Sequence, residues 1–203
     1  MEENKSLFQV YKSEEEKIDI IVRHVLLMLS RRIFIDKEEK KQPLLDLSDK
    51  PKMNIAEGVF TIKARNSENF AVKIFFHKIT TSGKQSVISE FIREYADYKK
   101  IVIANDFNNK IADFAVKHGI QLFKESSMLE DVISYKDQPI FELLSPAEMK
   151  LVRSEYNTTN YTLNKTPRTD ITVKYFGLKK SDIYRVKRYS PTSGYVPAYR
   201  IVM

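Results

Sequence analysis

Four consecutive apolar residues, Ile101-Val102-Ile103-Ala104, constrain this chain more than any other stretch. A run that short and that uniformly apolar predicts a strand buried on both faces, and such a strand needs layers above and below it. The flanking sequence supplies them. Residues 70–76 alternate as a strand before it, residues 120–123 read as a strand after it, and helical patterns separate the three. Val87, Ile88, Phe91, Ile92 and Tyr95 form the inward stripe of one helix, with Ser82 and Gln85 as its capping pair. The next helix spans residues 108–118, turns Ile111, Phe114 and Ala115 inward, and stops at Gly119. Strand, helix, strand, helix, strand in this order implies right-handed crossovers and a partly parallel sheet.

Upstream, Ile18, Ile21, Val22, Val25, Leu26 and Leu29 recur at the spacing of one helical face over residues 14–32. Ser13 and Glu16 make a capping box at its start, and Arg31-Arg32 complement the dipole at its end. A polar, lysine-rich stretch with Pro43 and Pro51 follows and reads as a long loop with at most one short helical turn. Residues 59–65 form a further strand, joined to the strand at 70–76 by the turn-prone Asn66-Ser67-Glu68-Asn69.

The pattern changes near Pro139. Ser145-Pro146-Ala147-Glu148 is a helix start with proline in the first turn, and Asp170 opens one or two helical turns that Gly177 ends. Residues 183–188 and 195–201 alternate as a hairpin around residues 190–194. We therefore expect an α/β unit over residues 1–137, a mixed and partly parallel sheet with flanking helices. A small α+β unit over residues 138–203 follows it.

Composition removes several classes of chemistry. The chain has no cysteine, hence no disulfide framework, thiolate metal site or cysteine nucleophile. The longest apolar run, near Val25 to Leu29, is too short to cross a bilayer, and the acidic start Met1-Glu2-Glu3 carries no secretory pattern. His24, His77 and His118 never stand at metal-ligand spacing; His24 falls on the polar side of the first helix and His118 at a helix end. Neither a phosphate-cradling glycine loop nor a serine elbow occurs. We expect no catalytic residue, no metal, no cofactor and no small-molecule substrate. The nearest enzymatic alternative is a metal-dependent nuclease built on Lys73. That reading lacks a carboxylate two residues before the lysine, and Glu57 and Glu68 both lie in turn-like contexts.

Charge points instead to assembly. The net charge of +7 is concentrated late: Lys+Arg exceed Asp+Glu by 1 up to Asp137 (23 against 22) and by 6 from Gln138 (11 against 5). An acidic protein surface or nucleic acid is the natural neighbour of such a segment. Lys179, Lys180, Arg185, Lys187 and Arg188, interleaved with Tyr184 and Tyr189, suit either one, and a free nucleic-acid-binding protein is the second function considered. Asn105, Asp106, Phe107, Asn108, Asn109 and Lys110 follow the buried strand, where open α/β sheets place ligand-facing loops. Helix capping by Asp106 or Asn108 explains the same residues, and the Asp106 carboxylate argues against close approach of nucleic acid.

The C-terminal motifs carry a family resemblance. Asp170-Ile171-Thr172-Val173-Lys174-Tyr175-Phe176-Gly177-Leu178-Lys179, the turn Ser190-Pro191-Thr192-Ser193-Gly194 and the closing Tyr199-Arg200-Ile201-Val202 resemble the end of the fifth subunit of eukaryotic-type RNA polymerases. The archaeal counterpart of that subunit consists of this module alone. Thr166-Pro167-Arg168 is similar to the family's Pro-Arg pair. Residues 22–32 and 75–131, including Phe123-Lys124-Glu125-Ser126-Ser127-Met128-Leu129, resemble its earlier elements more weakly. Ile171 departs from the usual proline, Ser181 stands where glycine is common, and Asp106-Phe107-Asn108-Asn109 replaces a Thr-Pro-Ser-Ala loop that faces downstream DNA in the family. Departures on this scale lead us to expect an outlying lineage, such as a large DNA virus that encodes its own polymerase.

The resemblance implies a jaw domain over residues 1–137 and an assembly domain over residues 138–203. It implies a non-catalytic subunit that docks on the largest polymerase subunit and contacts other subunits. Docking falls to Pro167, Arg168, Asp170, Tyr175, Phe176, Gly177, Arg188, Tyr199 and Arg200. Contact with downstream double-stranded DNA, through the loop Asn105 to Lys110, is then indirect or weak. The expected location is the nucleus, or cytoplasm and virion for a viral lineage.

Overall fold

A computed structural model describes residues 12–36, 38, 40–47, 52–54, 58–83, 86–135, 138–159 and 162–203. The first helix, α1, spans Glu14–Arg31. Its capping box forms as the sequence requires: the Ser13 hydroxyl accepts from the Glu16 N–H at 3.2 Å, and the Ser13 N–H donates to Glu16 Oε2 at 2.8 Å. Strands β3 (Lys52–Asn54), β4 (Val59–Lys63), β5 (Asn69–Phe75), β6 (Lys99–Ala104) and β7 (Gln121–Lys124) form a five-stranded sheet in that order. The β3–β4 and β4–β5 pairings are antiparallel, and β5–β6 and β6–β7 are parallel. Helices α2 (Val87–Glu94) and α3 (Asn109–Lys117) make the two crossovers. The apolar run in β6 is buried throughout. Ile101 and Ile103 join the core that also contains α1, while Val102 and Ala104 join the one containing Ile88, Phe91 and Ile111.

A short helix, α4 (Glu125–Leu129), and a single 3-10 turn at Val132–Ser134 lead away from this sheet. A second sheet is built from β8 (Ile140–Leu143), β9 (Asn164–Thr166), β10 (Ile183–Ser190) and β11 (Gly194–Val202), in the order β8-β10-β11-β9. Helix α5 (Pro146–Glu155) opens with the expected proline and capping box, and α6 (Ile171–Phe176) runs from Asp170 to Gly177.

Four local expectations need correction. The stretch after α1 is not simply loop: β1 (Ile33–Ile35) pairs with β2 (Lys41–Pro43), closed by the Asp36 carboxylate accepting from the Glu38 and Lys40 N–H groups. Pro51 lies outside the described residues. Helix α2 is capped by Ser86 rather than Ser82, so Val87 falls in its first turn, half exposed and off the inward stripe; Gln85 lies outside the described residues. His24 is half buried, with Nδ1 2.7 Å from the Met128 carbonyl, because α4 packs on that side of α1. Strands β8 and β9, four and three residues long, pair only with distant partners and carry no local signal of their own.

The two sheets are joined at the end of α1. Arg32 is 4% exposed. Its guanidinium donates to the carbonyls of Tyr175 (2.8 Å) and Lys174 (3.0 Å) and to Gln121 Oε1 (2.8 Å), with Met28 Sδ at 3.5 Å. Those two carbonyls are among the last of α6, where a helix runs short of internal donors and its dipole is negative; that of Lys174 also accepts the Gly177 N–H, and the cation satisfies both needs together. Burial lowers the arginine pKa to about 10, still far above neutrality, so the charge is kept. Gly177 has φ +64°, the left-handed conformation that ends α6, and a β-carbon there would stand 3.3 Å from the Arg32 guanidinium. Beside it Arg31 donates to both Asp131 oxygens (2.8 and 3.1 Å) and to the Tyr175 hydroxyl (2.8 Å). Burial opposes the Arg31 charge, but these bonds outweigh it and raise its pKa. Tyr175 and Phe176 are thereby sunk into the same hydrophobic cluster as Ile21, Val25, Leu29, Ile101 and Phe123.

Arg32→Met keeps much of the apolar stem but leaves the buried carbonyls of Lys174 and Tyr175 without this donor, at an expected cost of about 2–4 kcal/mol. Urea unfolding followed by circular dichroism checks this; a change below about 0.5 kcal/mol would contradict the role given to Arg32.

Candidate interaction surfaces

No constellation for bond-breaking chemistry comes together among the described residues. Lys73 lies over the rings of Phe75 and Phe91, at 5.5 and 5.9 Å from their centroids. Glu68 sits in the turn before β5 and is ion-paired with Lys99, and Glu57 lies outside the described residues. The histidines are dispersed: His24 on the Met128 carbonyl, His77 edge-on to Phe75, His118 against Phe114. No group of three or more His, Asp or Glu side chains that could hold a metal ion occurs among the described residues, and no described helix is long and apolar enough to cross a membrane.

Two surfaces remain, one on each sheet. The first is the loop at the C-terminal ends of the parallel strands. Asn105 is tied by its N–H to the Phe75 carbonyl (3.0 Å), and Asp106 accepts the Ile79 N–H on its own carbonyl (2.9 Å). Asn108 caps α3, its Oδ1 accepting from Ile111 N–H at 2.9 Å, while its amide donates to the Thr80 carbonyl at 3.2 Å. Phe107 lies beneath Lys124, 5.7 Å from its ring centroid, and Asn109 and Lys110 are exposed. The Asp106 carboxylate bridges Lys78 (2.8 Å) and Lys124 (2.9 Å), one from the end of each outer parallel strand. Hydrogen bonds from Lys78 and then Lys124 hold its carboxyl far below the usual carboxylate range. The loop is thus a closed charge bridge, with Lys110 outside it.

The second surface belongs to β8–β11 and the turn before α6. Pro167 and Arg168 are exposed, in a turn closed by the Asp170 N–H on the Pro167 carbonyl (3.0 Å). Asp170 caps α6, accepting from Thr172 N–H at 2.8 Å. Tyr175 and Phe176 face inward, Phe176 against Phe141 with ring centroids 5.8 Å apart, and the Gly177 backbone passes over Arg32. Arg188 is exposed. Tyr199 is half buried between Tyr156 (5.3 Å) and Arg185 (6.0 Å), and Arg200 is half buried across from Tyr184. Tyr184 is itself buried, its hydroxyl 2.9 Å from that of Thr166 on β9. The nine residues that the resemblance assigns to docking therefore divide between the surface and the joint with α1.

The basic cluster is likewise divided. Arg185 and Lys187 fall on one face of β10 and both reach Glu142 on β8: Arg185 Nε stands 2.8 Å from Oε2, an ion pair without a well-aligned hydrogen bond, and Lys187 meets the other oxygen. Without β8 in the reading, Glu142 has no place beside them. Ser181, at the position where the family commonly has glycine, takes φ +72°. Arg32 and Asp131, the residues that set how this surface meets the rest, carry no distinguishing pattern, since an arginine at a helix end is ordinary.

Comparison with known proteins gives the family. Residues 130–202 match the family model described as RNA polymerase Rpb5, C-terminal domain. Over 205 aligned residues, covering 100% of both chains, the protein is 47% identical to "DNA-directed RNA polymerase subunit 5" of Acanthamoeba polyphaga mimivirus. It is 23% identical over 198 residues to "DNA-directed RNA polymerases I, II, and III subunit RPABC1" of Caenorhabditis briggsae, covering 90% of this chain and 94% of that one. With "DNA-directed RNA polymerase subunit Rpo5" of Pyrococcus abyssi it shares 37% identity over 65 residues, 32% of this chain and 79% of the archaeal one. The chain belongs to the Rpb5 family and is a non-catalytic subunit of DNA-directed RNA polymerase.

Proposed function

We propose that residues 138–203 form the assembly domain that docks this subunit on the largest polymerase subunit, and that residues 1–137 form a jaw that shapes the downstream DNA channel. One observation carries the reading: cations are left at the surface of the second sheet and bridged at the loop of the first. Pro167, Arg168, Arg188 and Arg200, with Tyr199 at their margin, are the docking contacts. Asp170, Tyr175, Phe176 and Gly177 act by fixing α6 against Arg32 and so setting the shape of that surface. At the other end, Asp106 occupies Lys78 and Lys124. Duplex DNA therefore meets a loop with little free positive charge, in keeping with an indirect or weak contact through Lys110. The subunit works where its polymerase works, in the nucleus or in the cytoplasm and virion of a viral lineage. The viral relative at 47% identity favours the second.

Arg168→Glu/Arg188→Glu/Arg200→Glu in the full chain is expected to abolish co-purification with the largest subunit while shifting the melting temperature by no more than about 4 °C, because Arg32 and its partners are untouched. Unchanged recovery of the largest subunit would refute docking through this surface. The isolated chain is expected to bind duplex DNA no tighter than about 0.1 mM at physiological salt. Asp106→Asn, which releases Lys78 and Lys124, is expected to tighten that binding several-fold and to steepen its salt dependence in fluorescence anisotropy. Micromolar binding by the unaltered chain would favour a free nucleic-acid-binding protein instead.

A further inference from the structure

The β10–β11 ribbon outruns the sheet that supports it. Strand β8 pairs only with residues 184–187 of β10, and β9 only with residues 200–202 of β11, so both outer edges are open over residues 188–199. At its end Tyr189 and Tyr195 stand directly opposite one another with ring centroids 5.6 Å apart, edge to face, yet 69% and 62% exposed. Val196, across from Arg188 on the opposite face, is 44% exposed. Two tyrosines that spend their ring contact on each other and leave the rest in water form a rigid, amphipathic projection, the side-chain type that dominates binding energy at protein interfaces.

Charge narrows what covers it. Residues 183–203 contain Arg185, Lys187, Arg188 and Arg200 and no Asp or Glu. Glu142 occupies Arg185 and Lys187 on the tyrosine face. Arg188 and Arg200, on the opposite face, have no acidic partner among the described residues. A nucleic-acid strand stacked on the tyrosines would lie beside the Glu142 carboxylate with both nearby cations already taken, a poor track for successive phosphates. Addition of a strand to the β11 edge is opposed by Pro197, which has no N–H to give. Recognition by side chains remains.

We propose that the ribbon end, Tyr189 and Tyr195 with Arg188, is an anchor for an acidic segment of another polypeptide of the polymerase, which wraps the open β10 edge at residues 188–190, covering the tyrosine pair on one face and pairing its carboxylates with Arg188 on the other. The inference rests on the polymerase reading above and adds the chemistry of the partner at this point.

The test uses the polymerase purified with the full chain carrying Tyr189→p-benzoylphenylalanine or, separately, Tyr195→p-benzoylphenylalanine. Irradiation and mass spectrometry of the digest are expected to show both positions joined to one segment of another subunit in which Asp and Glu outnumber Lys and Arg. Attachment to nucleic acid, attachment to a basic or neutral segment, or no attachment at all would overturn the proposal while leaving the polymerase assignment intact. A polymerase that lacks the unaltered chain would overturn both. As a second readout, Tyr189→Ser/Tyr195→Ser and Arg188→Glu are each expected to weaken retention of the subunit in the complex by roughly ten-fold or more. Retention equal to the unaltered chain would contradict an anchor here.

Discussion

One buried cation, Arg32, organises this subunit. Arg32 ends α1, and its guanidinium donates to two carbonyls at the end of α6, that of Tyr175 and that of Lys174, which also accepts the Gly177 N–H. Its polar partners are all neutral, so the charge is balanced by carbonyl dipoles and a helix terminus rather than by a carboxylate. Because the donor belongs to the N-terminal part of the chain and the two carbonyl acceptors to the C-terminal part, the interaction fixes one sheet relative to the other. The hydrophobic cluster then closes around it, carrying Tyr175 and Phe176 in beside Ile101 and Phe123. Arg31 and Asp131 seal the exposed side of the same joint.

The charge of the molecule is displayed unevenly on the two sides of that joint. Near α1 and the parallel sheet several lysines and arginines are taken up: Arg31 by Asp131, Lys17 by Glu125, Lys78 and Lys124 by Asp106. Past α6 the ribbon has cations and aromatic side chains but no acid of its own, and Glu142 meets only two of its four basic residues.

Much of this was legible in the residues, and the reason is locality. Capping boxes at Ser13 and Ser145, the left-handed stop at Gly177 and the run Ile101 to Ala104 are each decided within a few positions, and each forms in the structure. The capping pair read at Ser82 and Gln85 misplaces the start of α2, which begins instead after Ser86. Short strands such as β8 and β9 exist only through partners elsewhere along the chain, so nothing within them announces them. The loss of β8 from the reading also hides Glu142, and with it the neutralisation of half the basic residues of the ribbon. Tyr175 and Phe176 illustrate a different limit: a motif reveals kinship, but not which of its side chains face a neighbour and which face the chain's own core.

The most direct measurement is affinity purification of the tagged full chain from its native source at moderate salt, with quantitative mass spectrometry of what stays bound. The account predicts the two largest RNA polymerase subunits in near-equal amounts with the tagged chain. A chain recovered alone, or with nucleic acid and no polymerase polypeptide, would contradict it.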